Sequence, residues 1–535
     1  MFASGKLGGL SYVICMHLYK KKNRAGSVSI QVVTKDDARR RKIIKTIGVG
    51  RTPHEIEKLI KKGNDYINDM KGPILPGFSP DEDNIENFVN TIENTGIQVI
   101  GPELIFGTLY DKIGYDVLHN DMFRHLVICR LFNPGSKLKT VDYLLRYLHV
   151  TYSIDSIYRF MDNLCWPDRS VPSGLHNDVK AHVEAISFAH TKSVVGGEIA
   201  ICFYDLTTLY FEAAEEDELR KYGFSKDGKH ACPQIFIGLL VAAGGNPIGY
   251  DIFEGNSSES KTLIPMVRKL SDRFNLGKPI IVADSGLLTK KNMQELQEKG
   301  YQYILGARLK NETRSICKQI LAMNLKDGEV KEIEKEKNVR LVVSCSEKRA
   351  KKDKNNRQRG LARLEKKIGS GKLTKQHINN RGYNKYLKLQ GDVTVTIDIE
   401  KFNNDASWDG LKGYITNTTI PATDIINNYG NLWYIERAFR FNKSDLEVRP
   451  IYHRLRNRID GHICICFTAY SILLELERLL KKEKSSLSVY RAQELTKNMY
   501  AINYQLPQSG VWKRCILKMT DEQQELYDII RKFHN

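Results

Sequence analysis

Three carboxylates in this chain stand where a carboxylate needs a reason. Asp205 interrupts the apolar run IAICFYDLTTLYF at residues 199–211. A run so rich in β-branched and aromatic residues reads as a central strand buried on both faces. An unpaired acid there carries a desolvation cost, so Asp205 needs a partner. Asp284 ends the short apolar strand KPIIVAD at residues 278–284, and Glu436 lies in the helical stretch YIERAFR at residues 434–440. Each acid taken singly is an ordinary cap or surface group. Gathered at one point they suit a pair of divalent cations, which two-metal phosphodiester chemistry sets about 3.5–4 Å apart. Hard oxygen donors favour Mg²⁺, or Mn²⁺ in its place. Crowded carboxylates raise one another's pKa, and a bound cation reverses that sign and keeps them ionised.

The surroundings of Glu436 sharpen this reading. Tyr429, Glu436 and Lys443 are spaced seven apart. In a continuous helix seven residues drift by only about 20°, so the three fall on one stripe. A phenol and an ammonium flanking an acid suit DNA phosphates beside a metal. The plainer reading is a solvent face at heptad spacing, which the neighbouring Trp433 and Phe439 argue against.

The elements that must position these residues follow in order. Residues 1–72 read as a small β/α unit: strands at 28–33 and 42–50, then a helix starting at Pro53 with Thr52 as its cap. A Pro/Gly-rich linker runs from Gly72 to Asp83. Residues 73–195 make up a helical region with its helices over about 100–190, and the pair of helices across His149–Ser153 reads either as a DNA-contacting helix-turn-helix or as a packed bundle. Residues 196–310 alternate as three antiparallel strands, helix, strand, helix, strand, which is a mixed sheet with helices on its faces. Residues 311–410 form a basic, β-rich interruption. Within it, residues 348–388 hold fifteen Lys/Arg against Asp353 and Glu365. Such a block is solvated or disordered in many chains, but the interleaved Tyr383 and Tyr386 suit nucleic acid better. Residues 411–480 return to the sheet-and-helix core, and 481–535 form a helical tail.

A chain of 535 residues is too long for one core. Its formal net charge of +19 is the footprint of a polyanion partner, weighed against a merely solvated basic surface. The ten cysteines include no CxxC pair, so they read as reduced thiols of a cytoplasmic protein without a zinc site. The apolar LSYVICM at residues 10–16 is too short to cross a membrane.

The pattern Tyr429-x₂-Leu432-x₃-Glu436-x₆-Lys443 resembles the Tyr-Arg-Glu-Lys signature of the DDE transposases of bacterial insertion sequences, the cut-and-paste branch with a β-rich insertion. It departs from the signature at Leu432, where that family has Arg, and Arg437 or Arg440 would then supply the missing phosphate contact. FYDLTTLYFE, GFSKDGKHACPQIFIGLLV, VADSGLLT and IERAFRFNKSDLEVRPIYHR resemble further segments of the same family, so the likeness covers about 199–310 and 410–480. It implies an RNase H-like core with Asp205, Asp284 and Glu436 as catalytic residues and ligands of two Mg²⁺ or Mn²⁺ ions. It further implies Tyr429, Lys443, Arg440 and Lys226 as DNA contacts, with Trp408 or Trp433 stacking on a displaced base. Family members bind terminal inverted repeats as a homodimer, cut the strand by activated water, and join the freed 3′-hydroxyl to target DNA. A hairpin on the element's end is an intermediate open to this branch. Two other readings remain at this stage: a DNA-binding descendant without catalysis, and an RNase H-like nuclease of repair or defence.

Overall fold

The computed structural model describes residues 16–23, 26–35, 41–71, 89, 92, 96–165, 179–213, 215–223, 225, 228, 231–274, 276–287, 289–336, 338–370, 378–379, 382–390, 394–441, 443, 446, 448, 451–506 and 510–534. Contacts divide the chain into two units, one of residues 1–96 with 504–513 and one of residues 97–503 with 514–535.

In the first unit β1 (His17–Lys22), β2 (Val28–Lys35) and β3 (Arg41–Gly50) form an antiparallel sheet in that order. Helix α1 (Pro53–Lys71) follows at once. A reciprocal cap starts it: the Glu55 N–H donates to Thr52 Oγ1 at 3.3 Å, and the Thr52 N–H donates to Glu55 Oε2 at 3.2 Å. α1 covers one face of the sheet so closely that a Cβ on Gly48 would lie 2.6 Å from Leu59, and one on Gly63 the same distance from Leu18. The linker read at Gly72–Asp83 lies outside the described residues.

The second unit opens with β4 (Ile97–Val99) and the helices α2 (Thr108–Ile113), α3 (Asp121–Phe132), α4 (Lys137–Tyr143), α5 (Ile154–Leu164) and α6 (Val179–Val194). Ser153 caps α5 by accepting from the Ser156 N–H at 3.0 Å. The sheet then begins with β5 (Ile201–Tyr210), β6 (Gln234–Val241) and β7 (Pro247–Glu254), an antiparallel meander. Helix α7 (Leu263–Phe274) leads to β8 (Ile280–Ala283), and α8 (Lys290–Glu298) leads to β9 (Tyr303–Ala307). β8 lies parallel to β5, and β9 parallel to β8. The resulting order β7-β6-β5-β8-β9 is an RNase H-like mixed sheet. Both faces of β5 are buried: Cys202, Tyr204 and Leu206 belong to one apolar core, Phe203 and Leu209 to the other. Strand periodicity therefore puts Asp205 on the Phe203 side.

After α9 (Arg314–Ala322) come β10 (Val330–Glu336) and β11 (Val339–Cys345). They join the same sheet beyond β14 (Leu411–Thr416), which pairs antiparallel with β9, giving eight strands in all. Between β11 and β14 the basic block is not solvated coil. It begins as the 23-residue helix α10 (Glu347–Gly369). Its Leu364 is buried, and Leu361 and Ile368 pack beside it in a small core with the hairpin of β12 (Leu387–Gln390) and β13 (Thr394–Ile397) and with α11 (Ile399–Asn404). Apolar residues at 361, 364 and 368 are one helical stripe, which is why a segment so charged still folds.

The chain then forms α12 (Ala422–Gly430), α13 (Trp433–Arg440) and the 27-residue α14 (Arg456–Lys482). α14 is buried on every side from Ile459 to Leu476, as a helix through the middle of a large core must be. α15 (Val489–Thr496), β15 (Tyr500–Gln505), which pairs with β4, and α16 (Asp521–His534) complete the chain. Among the described residues no helix is long and apolar enough to cross a membrane.

Candidate active site

Asp205, Asp284 and Glu436 line one cavity of about 410 Å³. The sheet register accounts for the first two. Tyr204 of β5 is paired with Ala283 of β8, so Asp205 and Asp284 are the next residues on parallel neighbours, which are spaced about 4.8 Å apart. Glu436 comes from the first turn of α13. That helix is held from behind by Arg437, which donates to Glu477 of α14 at 2.9 Å and to the Gly244 carbonyl at 3.4 Å. Two adjacent strands and one crossing helix thus aim three acids into one space.

Tyr429 lies at the end of α12 and is buried. Its hydroxyl donates to Asp284 Oδ1 at 2.7 Å, and the Ser285 N–H donates to the same oxygen at 2.7 Å. Burial, and then the Asp284 charge, hold this hydroxyl well above the usual phenol range, so it stays a donor. Gly306 of β9 makes room for it, because a Cβ there would fall 2.3 Å from the Tyr429 oxygen.

Two cations line the same cavity: Arg349 of the inserted segment, near the start of α10, and Lys412 on β14. Lys412 Nζ sits 4.4 Å from the centre of the Tyr429 ring. Burial and the Arg349 charge push Lys412 below the usual lysine range, against the pull of Asp284 and Glu436. Neither residue stands out in the sequence. Arg349 is one of fifteen cations in its run, and Lys412 reaches the site only through the pairing of β14 with β9.

The stripe read through Tyr429, Glu436 and Lys443 is only partly kept. Tyr429 and Glu436 face the cavity, although they sit on separate helices. The join is a tighter turn, with the Leu432 N–H bonded to the Tyr429 carbonyl at 3.1 Å and the Ile435 N–H to the Leu432 carbonyl at 3.1 Å. Beyond Arg440 the chain leaves α-helical geometry. Lys443 lines a separate, mostly apolar cavity of about 30 Å³ with Thr207, Leu209 and Cys466. Arg440 is exposed on α13 and does not line the acid cavity. Arg437 is engaged by Glu477, and Leu432 itself lines the acid cavity. Of the two tryptophans, Trp433 is at the cavity and 45% exposed, whereas Trp408 packs in the inserted segment beside Lys310. Lys226 lies outside the described residues.

The donor set matches a hard divalent cation, three carboxylates on one cavity with no sulfur or imidazole beside them among the described residues. Among the described residues, however, no three His, Cys, Asp or Glu side chains are grouped tightly enough to hold a metal ion. Asp284 is tied instead to Tyr429 and Ser285.

Comparison with known proteins bears on the same segment. A family model described as a transposase DDE domain matches residues 198–472. No curated protein matches the chain. Among solved structures the chain is similar to a piggyBac transposase synaptic complex with hairpin DNA, at 11% identity and a TM-score of 0.38, over 74% of this chain and 78% of that one. It is also similar to a Mos1 transposase paired-end complex with the left transposon end, at 11% identity and a TM-score of 0.15, over 34% of this chain and 56% of that one. The match of the family model spans more than half of the chain and contains all three acids, Tyr429 and Lys412, and on that ground the chain belongs to the DDE transposases.

Proposed function

We propose that the protein is an active transposase of an insertion sequence, which binds the element's terminal inverted repeats as a homodimer, cuts at their boundary and transfers the freed 3′-hydroxyl to target DNA. The observation that carries this reading is the convergence of Asp205, Asp284 and Glu436 on one cavity. These three would hold Mg²⁺ or Mn²⁺, two ions in the working complex. Bound there, the ions would supply an activated water and neutralise charge on the phosphate. The chain's own groups do the rest. Tyr429 and the Ser285 N–H hold Asp284 in place through its Oδ1. Lys412 and Arg349 give the cavity the positive charge that a scissile phosphate meets. Arg349 thereby takes over the phosphate contact that Leu432 cannot make, since it lines the acid cavity and neither Arg437 nor Arg440 does. Trp433, exposed at the cavity rim, offers a ring for an unstacked base.

The test is nicking of a labelled duplex that carries the sequence flanking the gene, with Mg²⁺ and with EDTA, for the wild type and Glu436→Gln. Cutting at the repeat boundary by the wild type with Mg²⁺ alone, and binding without cutting by the variant, is the expected result. Leu432, where the family signature has Arg, favours one second reading, a DNA-binding descendant without catalysis. End binding with no cutting under any metal would decide for it, and cutting at scattered positions would decide for a general nuclease.

A further inference from the structure

The three-stranded sheet of the first unit has a second face, the one turned away from α1. Cross-strand pairing assigns its residues in rows: Lys21, Ser29 and Val49; Tyr19, Gln31 and Thr46; His17, Val33 and Ile43. Gly48 and Leu18, which meet α1, lie between these rows and so point the other way. Ser29 and Gln31 of the central strand are buried, and the outer strands lift Lys21, Arg41 and Thr46 into solvent. Two large aliphatic side chains are also exposed here, Ile43 by 54% and Val49 by 56%. The Arg41 guanidinium lies 4.2 Å from the centre of the Tyr19 ring, which steadies its planar donor fork. The unit around this face is strongly basic, with fifteen Lys/Arg against six Asp/Glu in residues 16–71.

A face that joins cations, hydroxyls and exposed methyl groups is neither an ordinary solvated surface nor an apolar docking patch. Three strands about 4.8 Å apart make a strip about 10 Å wide, which the DNA major groove, about 12 Å wide, can admit. The base edges in that groove ask for what the strip carries. Guanine O6 and N7 accept from an arginine fork or an ammonium, and the thymine methyl meets an aliphatic side chain. We propose that this sheet face is the surface that reads sequence in double-stranded DNA, with Arg41 and Val49 as discriminating residues and the surrounding lysines on the phosphates. The proposal rests on the transposase reading only in taking the element's ends as the sequence read, and it assigns that task to the first unit rather than to the helices of residues 100–195.

The experiment uses the full-length protein and measures affinity for two duplexes, one with the gene's flanking end and one with the same bases shuffled. Arg41→Lys combined with Val49→Ser keeps the charge but removes the fork and the methyl groups. The preference for the end duplex should fall about tenfold or more, while affinity for the shuffled duplex stays within about twofold. Lys58→Ala with Lys62→Ala, on exposed positions of α1 behind the sheet, should leave the preference for the end duplex unchanged. An unchanged preference in the Arg41/Val49 variant, or a preference lost in the α1 variant, overturns the assignment. A wild type that binds DNA tightly with no preference for any end overturns the end-binding reading itself and the proposal with it. Boundary cutting by the wild type with an unaltered preference in the variant would sink the proposal alone.

Discussion

Gly306 shows how narrowly the site is built. Its missing side chain lets the Tyr429 hydroxyl reach Asp284, which in turn orders one of the three acids. Ala at this position would place a methyl group 2.3 Å from a buried phenol oxygen that has little room to retreat. Gly306→Ala should therefore cost about 1–3 kcal/mol of stability, the usual penalty of overpacking. It should also slow end cutting far more than it weakens DNA binding. Tyr429→Phe with the glycine kept would separate the two effects, since it removes the bond without the clash. Equal cutting by Gly306→Ala and wild type would show that the phenol does not set the position of Asp284.

At the scale of elements, the helix that matters most to the site is α14, because α13 leans on it through Arg437 and Glu477. α14 carries a buried acid of its own, Glu475. Burial alone would raise its pKa, but hydrogen bonds from Arg478 and His190 outweigh that and bring it from 4.5 down to about 2. A depressed carboxylate stabilises the fold fully above its unfolded pKa, and the contribution is lost as pH falls through the folded value. The window is therefore pH 4.5 down to about 2. Over that interval the group is worth about 3 kcal/mol. Glu475→Gln should be destabilised by that order at pH 7, and the gap in denaturation midpoint between it and the wild type should close as the acid end of the window is reached. A gap that is constant with pH would assign the loss to packing instead.

For the molecule as a whole, charge is the dominant property. On the proposed function, a chain at +19 would grip DNA through its phosphates and bind with a steep salt dependence. About six phosphate contacts would already lower affinity about a thousandfold between 50 and 200 mM salt. In the proposed function Arg349 belongs to that account as one contact at the cut. Arg349→Ala should flatten the slope of log affinity against log salt by about one and leave preference among sequences alone. Titrations at four or five salt concentrations would measure both. An unchanged slope would remove Arg349 from the DNA-contacting surface and leave its cation to structural work with Asp353, 3.5 Å away.

Local pattern was enough to single out the three acids that line one cavity. A doubly buried strand, a strand end and a helix turn are each written in a dozen consecutive residues, and the family likeness joined them into one site. The helix cap at Thr52 was legible for the same reason, since both partners lie within one turn. What the tertiary structure alone decided depends on residues far apart or on small angles. Arg349 and Lys412 reach the acids only because β14 pairs with β9 across more than a hundred residues, and nothing local marks one lysine or arginine among many. The helix α10 was hidden because its three large apolar residues are outnumbered by charge, and only the small core they enter shows which side is inside. Lys443 left the stripe because seven-residue spacing presumes an unbroken helix, whereas the chain tightens at Asn431–Leu432 and departs from α geometry after Arg440. Periodicity tells which face a residue takes on its own element; where that face is aimed is set by packing.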